Sequence, residues 1–289
     1  MTTVPTFTMN DGRTIPALGY GVFQMSSEEV RTHLREAIEL GYRHIDTANA
    51  YFNEVAVGEV VREAIADGLV TREELFITSK LFPQSYPYAQ CGKDIDATLE
   101  RLGLDYLDLL LFHQPYGEYV SGWKAMEEAV AAGKVRSIGL SNFSAAKVRE
   151  ITAVATIVPA VNQVLINPRQ NQHVLKTELA DLGLVYEGWY PLGHGDRTLL
   201  EEPAIVAAAE RTGATAAQVV LAWQIAEGNV VFPKTLNPAH MADNLAAAEV
   251  HLTEDEVAAI TATPQSSYYE VPEEPPAFVL VTNDYSQQH

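Results

Sequence analysis

Residues 76–113, FITSKLFPQSYPYAQCGKDIDATLERLGLDYLDLLLFH, decide the fold. A short run rich in apolar and β-branched residues, Phe76 to Lys80, gives way to Tyr88 to Leu102, where apolar residues recur at helical spacing. A second apolar run, Tyr106 to His113, follows, so the segment reads as strand, helix, strand. The same alternation extends in both directions. Further strands are predicted at Leu18 to Gly21, His44 to Thr47, Val135 to Leu140, Ala160 to Leu165, Leu184 to Trp189 and Val230 to Phe232. Helical stretches lie at Glu28 to Leu40, Glu54 to Asp67, Gly122 to Ala132, Ala145 to Val154, Gln172 to Leu182, Pro203 to Arg211 and Thr215 to Glu227. Parallel strands joined by right-handed crossovers predict an α/β fold, a (β/α)8 TIM barrel. A doubly wound open sheet is the main alternative, but Gly19-Tyr20-Gly21 lacks the third glycine of a dinucleotide fingerprint.

Local signals punctuate this pattern. Thr71 with Glu74 and Thr253 with Glu256 have capping-box spacing, and Asn237-Pro238 sets a cap residue before a first-turn proline. At the start, Asn10-Asp11-Gly12-Arg13 between short apolar runs predicts a β-hairpin plug within residues 1–16. At the end, residues 264–289 are rich in proline and acid yet contain Phe278-Val279-Leu280-Val281. This predicts an ordered tail that covers those apolar residues over the mouth of the barrel. Residues 1–289 are expected to form one domain.

Composition narrows the function classes. The formal charge of −19 repels phosphodiester backbones and anionic lipid, which argues against nucleic acid or a membrane as partner. A phosphate-bearing ligand would need a local positive site against that background. One cysteine, Cys91, excludes an internal disulfide, and neither a leader pattern nor a long apolar run is visible, so a cytoplasmic protein is expected. A monomer or weak oligomer is expected.

Barrel enzymes carry their catalytic groups at the carboxyl ends of strands. Here the second strand delivers Asp46, with Tyr51 in the loop after it; the third ends in Lys80 and the fourth in His113. Singly, each has a plain structural reading as turn cap, core ring, snorkelling lysine or buried histidine. Jointly they suit one reaction. Hydride delivered to a carbonyl carbon leaves an alkoxide that needs a proton from a positioned acid. Tyr51 could supply it, the Lys80 ammonium would lower its pKa, Asp46 would pair the lysine, and His113 would orient the substrate oxygen. No metal is called for.

The sequence resembles the aldo-keto reductase family over nearly its whole length, including diketo-gluconate-reductase-like and prostaglandin-synthase-like members. The resemblance rests on Leu18-Gly19-Tyr20-Gly21, on Gly41 to Ala48, on Tyr51 with Asn53-Glu54, and on Ser79-Lys80. It continues through Gly139-Leu140-Ser141-Asn142-Phe143, Val161-Asn162-Gln163, Pro191-Leu192-Gly193 and Phe232-Pro233-Lys234-Thr235. It implies an NAD(P)H-dependent oxidoreductase reducing aldehydes, ketones or dicarbonyl compounds, with Asp46, Tyr51, Lys80 and His113 as catalytic residues. It also implies NADPH contacts: Ser141, Asn142 and Gln163 to the carboxamide, Trp189 stacked on the nicotinamide, Lys234 and Thr235 to the 2′-phosphate, and Asn244 to adenine. Gly21, Val22, Phe23, Pro191, Leu192, Gly193, Phe232 and His240 complete the implied cofactor set. The small-molecule substrate would lie against Phe23, Phe52, Phe82 and Gln114.

Several positions depart from the family pattern. His240 stands where arginine is common, and imidazole lacks the bidentate fork, so NADH use becomes possible beside NADPH. Gln114 replaces a usual tryptophan and Phe52 a small residue, which predicts a reshaped pocket; Asn167 replaces a frequent histidine outside that pocket. Two other functions fit parts of the pattern: a Schiff-base aldolase with Lys80 as nucleophile, and a non-catalytic cofactor-binding sensor.

Overall fold

The computed structural model describes residues 2–193, 196–266, 270–285 and 288. An antiparallel hairpin comes first, β1 (Thr6–Thr8) and β2 (Thr14–Pro16), with Phe7 opposite Ile15. Gly12 closes its turn at φ +84°, a conformation glycine adopts without strain. Then follow β3 (Tyr20–Gly21), β4 (His44–Asp46), β5 (Phe76–Leu81), β6 (Leu107–Phe112), β7 (Val135–Ser141), β8 (Val161–Leu165), β9 (Val185–Trp189) and β10 (Asn229–Val231). These eight strands pair in sequence order, all parallel. The ring closes where Leu18 bridges Val231: Gly19 N donates to Val231 O and Val231 N to Ala17 O, both at 3.0 Å. That closure makes the fold a TIM barrel and rules out the open sheet.

Helices flank the barrel: α1 (Ser27–Leu40), α2 (Glu54–Ala66), α3 (Tyr88–Leu102), α4 (Tyr119–Ala131), α5 (Ala145–Thr152), α6 (His173–Glu178), α7 (Pro203–Thr212), α8 (Ala216–Ala226), α9 (Pro238–Ala246) and α10 (Glu254–Thr261). Their buried faces and the outer strand faces make the main core, from Val30, Leu34 and Ile38 through Leu110 and Phe112 to Ile138. Glycine at 58 lets α2 approach α3, because a Cβ there would collide with the carbonyl of Leu102. None of the helices described is long and apolar enough to cross a membrane.

Strand alternation then decides what lies inside the barrel. Leu109 and Leu111 join Met9 and Ile15 of the hairpin with Val161, Val230 and Phe232 to seal the floor. The hairpin is pinned there by Asn10, whose amide donates to Pro159 O at 2.8 Å and Leu182 O at 3.0 Å. Above this floor the inward positions are polar and buried: His44, Asp46, Thr78, Lys80, Gln163 and Glu187.

Four expectations need correction. The stretch Gln172 to Leu182 is not one helix; α6 stops at Glu178, Leu179 leaves helical geometry, and a separate 3₁₀ turn, Ala180–Leu182, ends at left-handed Gly183. The helix expected from Gly122 starts at Tyr119, whose ring is buried and whose hydroxyl donates to Glu150 at 2.6 Å. The Thr71–Glu74 capping box heads only a 3₁₀ turn before β5, whereas the Thr253 and Asn237 caps do head α10 and α9. Finally, the apolar run of the tail is not covered: Val279 packs with Phe82, Tyr116 and Tyr285, but Phe278, Leu280 and Val281 stay exposed. Residues 267–269, 286, 287 and 289 of that tail, and residues 194–195, lie outside the described residues.

Candidate active site

The carboxyl ends of β4 and β5 and the loop after β4 bring three predicted residues into hydrogen-bond contact. Lys80 Nζ donates to Asp46 Oδ1 at 2.6 Å, to Thr47 O at 2.9 Å and to Tyr51 OH at 3.1 Å. Those contacts use all three ammonium hydrogens of a side chain that is 0% exposed. Burial presses its pKa down, but attraction from Asp46 and Tyr51 overcomes this and holds it above the ordinary lysine value. Lys80 is therefore a fixed cation.

Tyr51 tests the expected acidification. Burial, the largest influence, raises its pKa; the Lys80 charge and hydrogen bond lower it, Asp46 raises it again, and the balance stands at about 12. The ammonium acts in the expected direction, but burial outweighs it, so Tyr51 holds its proton at neutral pH. His113, from the end of β6, completes the predicted four: its ring centroid lies 5.5 Å from that of Tyr51, edge to face. Burial, then the Lys80 charge, push its pKa well below the ordinary value, so the ring is neutral. Its Nδ1 is buried without a hydrogen-bond partner.

Behind this group stands a network that sequence reasoning missed. Glu54, buried at the start of α2, accepts from Ser79 Oγ at 2.6 Å and from Arg101 Nε at 2.7 Å. Gln288 of the tail accepts from Glu54 N at 2.9 Å and donates to Asn49 O at 3.0 Å. The residues on either side of Tyr51 are thereby tied to α3 and to the tail. The Asn53-Glu54 pair was the available signal, since a carboxylate at a strand-end loop needs a partner when buried.

Aromatic rings surround Tyr51 and His113. Phe23 lies 5.0 Å from Tyr51 and Phe82 5.6 Å from His113, centroid to centroid. Phe52 takes a left-handed backbone at φ +58°, and its ring packs 5.6 Å from Tyr285. Phe278 meets Phe82 at 6.5 Å, so the tail adds to this wall. Gln114 is buried with its Oε1 unpartnered.

The remaining predicted residues arrange themselves around the same end of the barrel. Asn142 follows β7 at φ +67°; its amide nitrogen donates to His113 O and Ser141 Oγ, both at 3.2 Å. Its oxygen accepts from Trp189 Nε1 at 3.1 Å, which fixes the orientation of a half-buried indole. Gly21 ends β3 and Val22 follows it, both buried, and Val22 N donates to Asp46 O at 3.1 Å. The loop after β10 crosses to this segment: Tyr20 OH donates to Thr235 O at 2.6 Å, and Lys234 Nζ reaches Gln24 O at 3.5 Å. Lys234 and His240 are exposed, and Asn244 is buried on α9. Pro191, Leu192 and Gly193 form the turn after β9, with Gly193 left-handed at φ +68°.

Phe232 does not join them. Its ring turns to the floor, 4.8 Å from His44, and packs where a Cβ on Gly19 would stand 2.5 Å from it. Glycine at 19 is what admits that ring. Gln163 points inward from β8, and its Nε2 donates to Asp46 Oδ2 at 2.9 Å and to Glu187 Oε2 at 2.8 Å. Among the described residues no group of His, Cys, Asp and Glu could hold a metal ion.

Comparison with known proteins identifies the family and agrees with the fold. The model of the Aldo/keto reductase family matches residues 17–264. An aldo-keto reductase of Mycolicibacterium smegmatis is 40% identical over 259 residues, covering 89% of this chain and 92% of its own. Morphine 6-dehydrogenase of Pseudomonas putida is 39% identical, with 88% and 89% covered. The crystal structure of a Bombyx mori aldo-keto reductase in complex with NADP superposes with a TM-score of 0.85 at 35% identity, over 90% of this chain and 93% of that one. From barrel, site and relatives together, the chain belongs to the aldo-keto reductase family.

Proposed function

We propose that the protein reduces aldehydes, ketones or dicarbonyl compounds to alcohols with NADPH, using Tyr51 as proton donor. The observation that carries this reading is the buried chain Asp46–Lys80–Tyr51, with contacts of 2.6 and 3.1 Å, beside a neutral His113. When bound, the reduced nicotinamide supplies hydride to the carbonyl carbon. His113 donates an N–H to the carbonyl oxygen and orients it. As the oxygen gains charge it takes the Tyr51 proton, and the phenolate left behind is stabilised by Lys80, whose own charge is balanced by Asp46. The pKa of Tyr51, about 12, keeps the donor loaded at neutral pH.

The residues fit such a cofactor. Trp189, held at its edge by Asn142, offers a flat face for the ring, and a ring covered on one side exposes only the other for transfer. Lys234, Thr235 and the start of α9, capped by Asn237, supply a local positive site on a chain of net charge −19. The aromatic walls favour an apolar substrate body, and the related structures complexed with NADP and NADPH support the cofactor assignment.

Lys80 argues against the aldolase alternative, since a nucleophilic lysine needs a lowered pKa and this one is held charged. The intact four-residue set argues against a silent sensor. A panel of carbonyl compounds with NADPH and NADH tests the proposal. Cofactor oxidation dependent on the carbonyl is expected, without borohydride trapping of substrate on Lys80. Trapped substrate and no oxidation would overturn it.

A further inference from the structure

The mechanism does not use the carboxyl of Glu187. Glu187 points into the barrel from the middle of β9 and is 0% exposed. Its Oε2 accepts from Gln163 Nε2 at 2.8 Å, and the same nitrogen donates to Asp46 Oδ2 at 2.9 Å. An amide nitrogen has two hydrogens, so these two carboxyl groups use both. Nε2 therefore lies between the two carboxyl groups, and Oε1 is turned away from them. Asp46 alone would leave the amide free to swing about one contact; Glu187 is the second anchor.

The other groups facing Glu187 support this. His44 of β4 comes within 3.9 Å of Oε1, but burial holds its pKa at about 3. Its neutral ring is placed by Pro16 O at 3.2 Å from Nδ1 and Thr78 Oγ1 at 3.0 Å from Nε2. Among the described residues no cation is paired with Glu187. Lys80 of β5 is committed to Asp46, Thr47 and Tyr51, leaving Gln163 as the hydrogen-bond partner of this carboxyl among the described residues. Burial, then repulsion from Asp46, raise its pKa to about 8.

We infer that Glu187 is a positioning residue that clamps Gln163 against Asp46, so that Gln163 Oε1 is presented as the acceptor for the nicotinamide carboxamide. The inference rests on the proposed function, because it takes Gln163 as a cofactor contact. It makes Glu187 the link between the cofactor seat and the Asp46–Lys80–Tyr51 chain.

The test measures dissociation constants of NADPH and NADP⁺ by fluorescence titration, with turnover alongside, for the wild type, Glu187→Leu and Glu187→Gln. Glu187→Leu is expected to weaken both cofactors about tenfold, the net worth of one well-placed hydrogen bond, with a smaller change in kcat. Glu187→Gln keeps an acceptor for Gln163 and is expected to stay within about threefold of the wild type. In the wild type, preference for the positively charged NADP⁺ should rise severalfold as the pH passes about 8, and in Glu187→Gln it should not. Wild-type affinity in Glu187→Leu would overturn the inference, and so would an unchanged pH response in Glu187→Gln, which serves even if the leucine variant fails to fold. Failure of the wild type to bind either cofactor would instead remove the proposed function, and this inference with it.

Discussion

Replacing Lys80 by methionine keeps most of the side-chain volume and deletes the ammonium, leaving Asp46 buried with Gln163 as its remaining side-chain donor. Removing one partner of a buried ion pair costs about 3–5 kcal/mol, because the surviving charge is neither solvated nor balanced. For 289 residues the unfolding entropy is roughly 0.6 kcal/mol per degree, so Tm should fall by about 5–8 °C. Removing both charges in Asp46→Asn/Lys80→Met should restore most of this loss, since no uncompensated ion remains. Carbonyl reduction should not return, because Tyr51 still lacks its cation. Calorimetry and urea unfolding read the first effect, and turnover reads the second. A loss below about 1 kcal/mol in the single variant, or a double variant as unstable as the single, would refute the reasoning.

Other consequences follow from particular contacts. Glu187, with its pKa raised from 4.5 to about 8, binds its proton more tightly in the folded state, so its ionisation destabilises the fold as pH rises through that window. Glu187→Gln should gain stability over the wild type across the same window, reaching at most about 5 kcal/mol above it; urea midpoints independent of pH would contradict this. Gly58→Ala should cost about 2 kcal/mol or more by forcing α2 from the Leu102 carbonyl, measured by urea unfolding. His240→Arg should raise the NADPH to NADH preference about tenfold by adding a bidentate phosphate donor; an unchanged ratio of kcat/KM would place residue 240 away from the phosphate.

Much of this molecule was legible before any coordinates. The strand at Tyr106 to His113 and the helix before it are written in a short unbroken apolar run and a period of 3.6, and the barrel follows from repeating them. Asp46, Lys80 and His113 could be found because polar residues at strand ends of a barrel share one mouth. The break at Leu179 and the early start at Tyr119 could not, since each depends on a tertiary contact. Nor could the floor position of Phe232, just after the last barrel strand, which depends on the space left by Gly19, just before the first, adjacent to it only across the closure. Glu187 was overlooked although its signal was present: the phase that turns Gln163 and Asp46 inward also turns Glu187 inward. The tail misled because four apolar residues in a row were expected to share one covered surface, and a 3₁₀ turn at Ala277–Val279 buries just one of them.

Proton donation by Tyr51 is the claim on which the mechanism stands, and Tyr51→Phe isolates it by keeping the ring while deleting the hydroxyl that meets Lys80 at 3.1 Å. In a single turnover with NADPH already bound, hydride transfer to a carbonyl substrate should slow by about 10²–10⁴-fold, with the NADPH dissociation constant unchanged. Transfer at the wild-type rate would contradict the account.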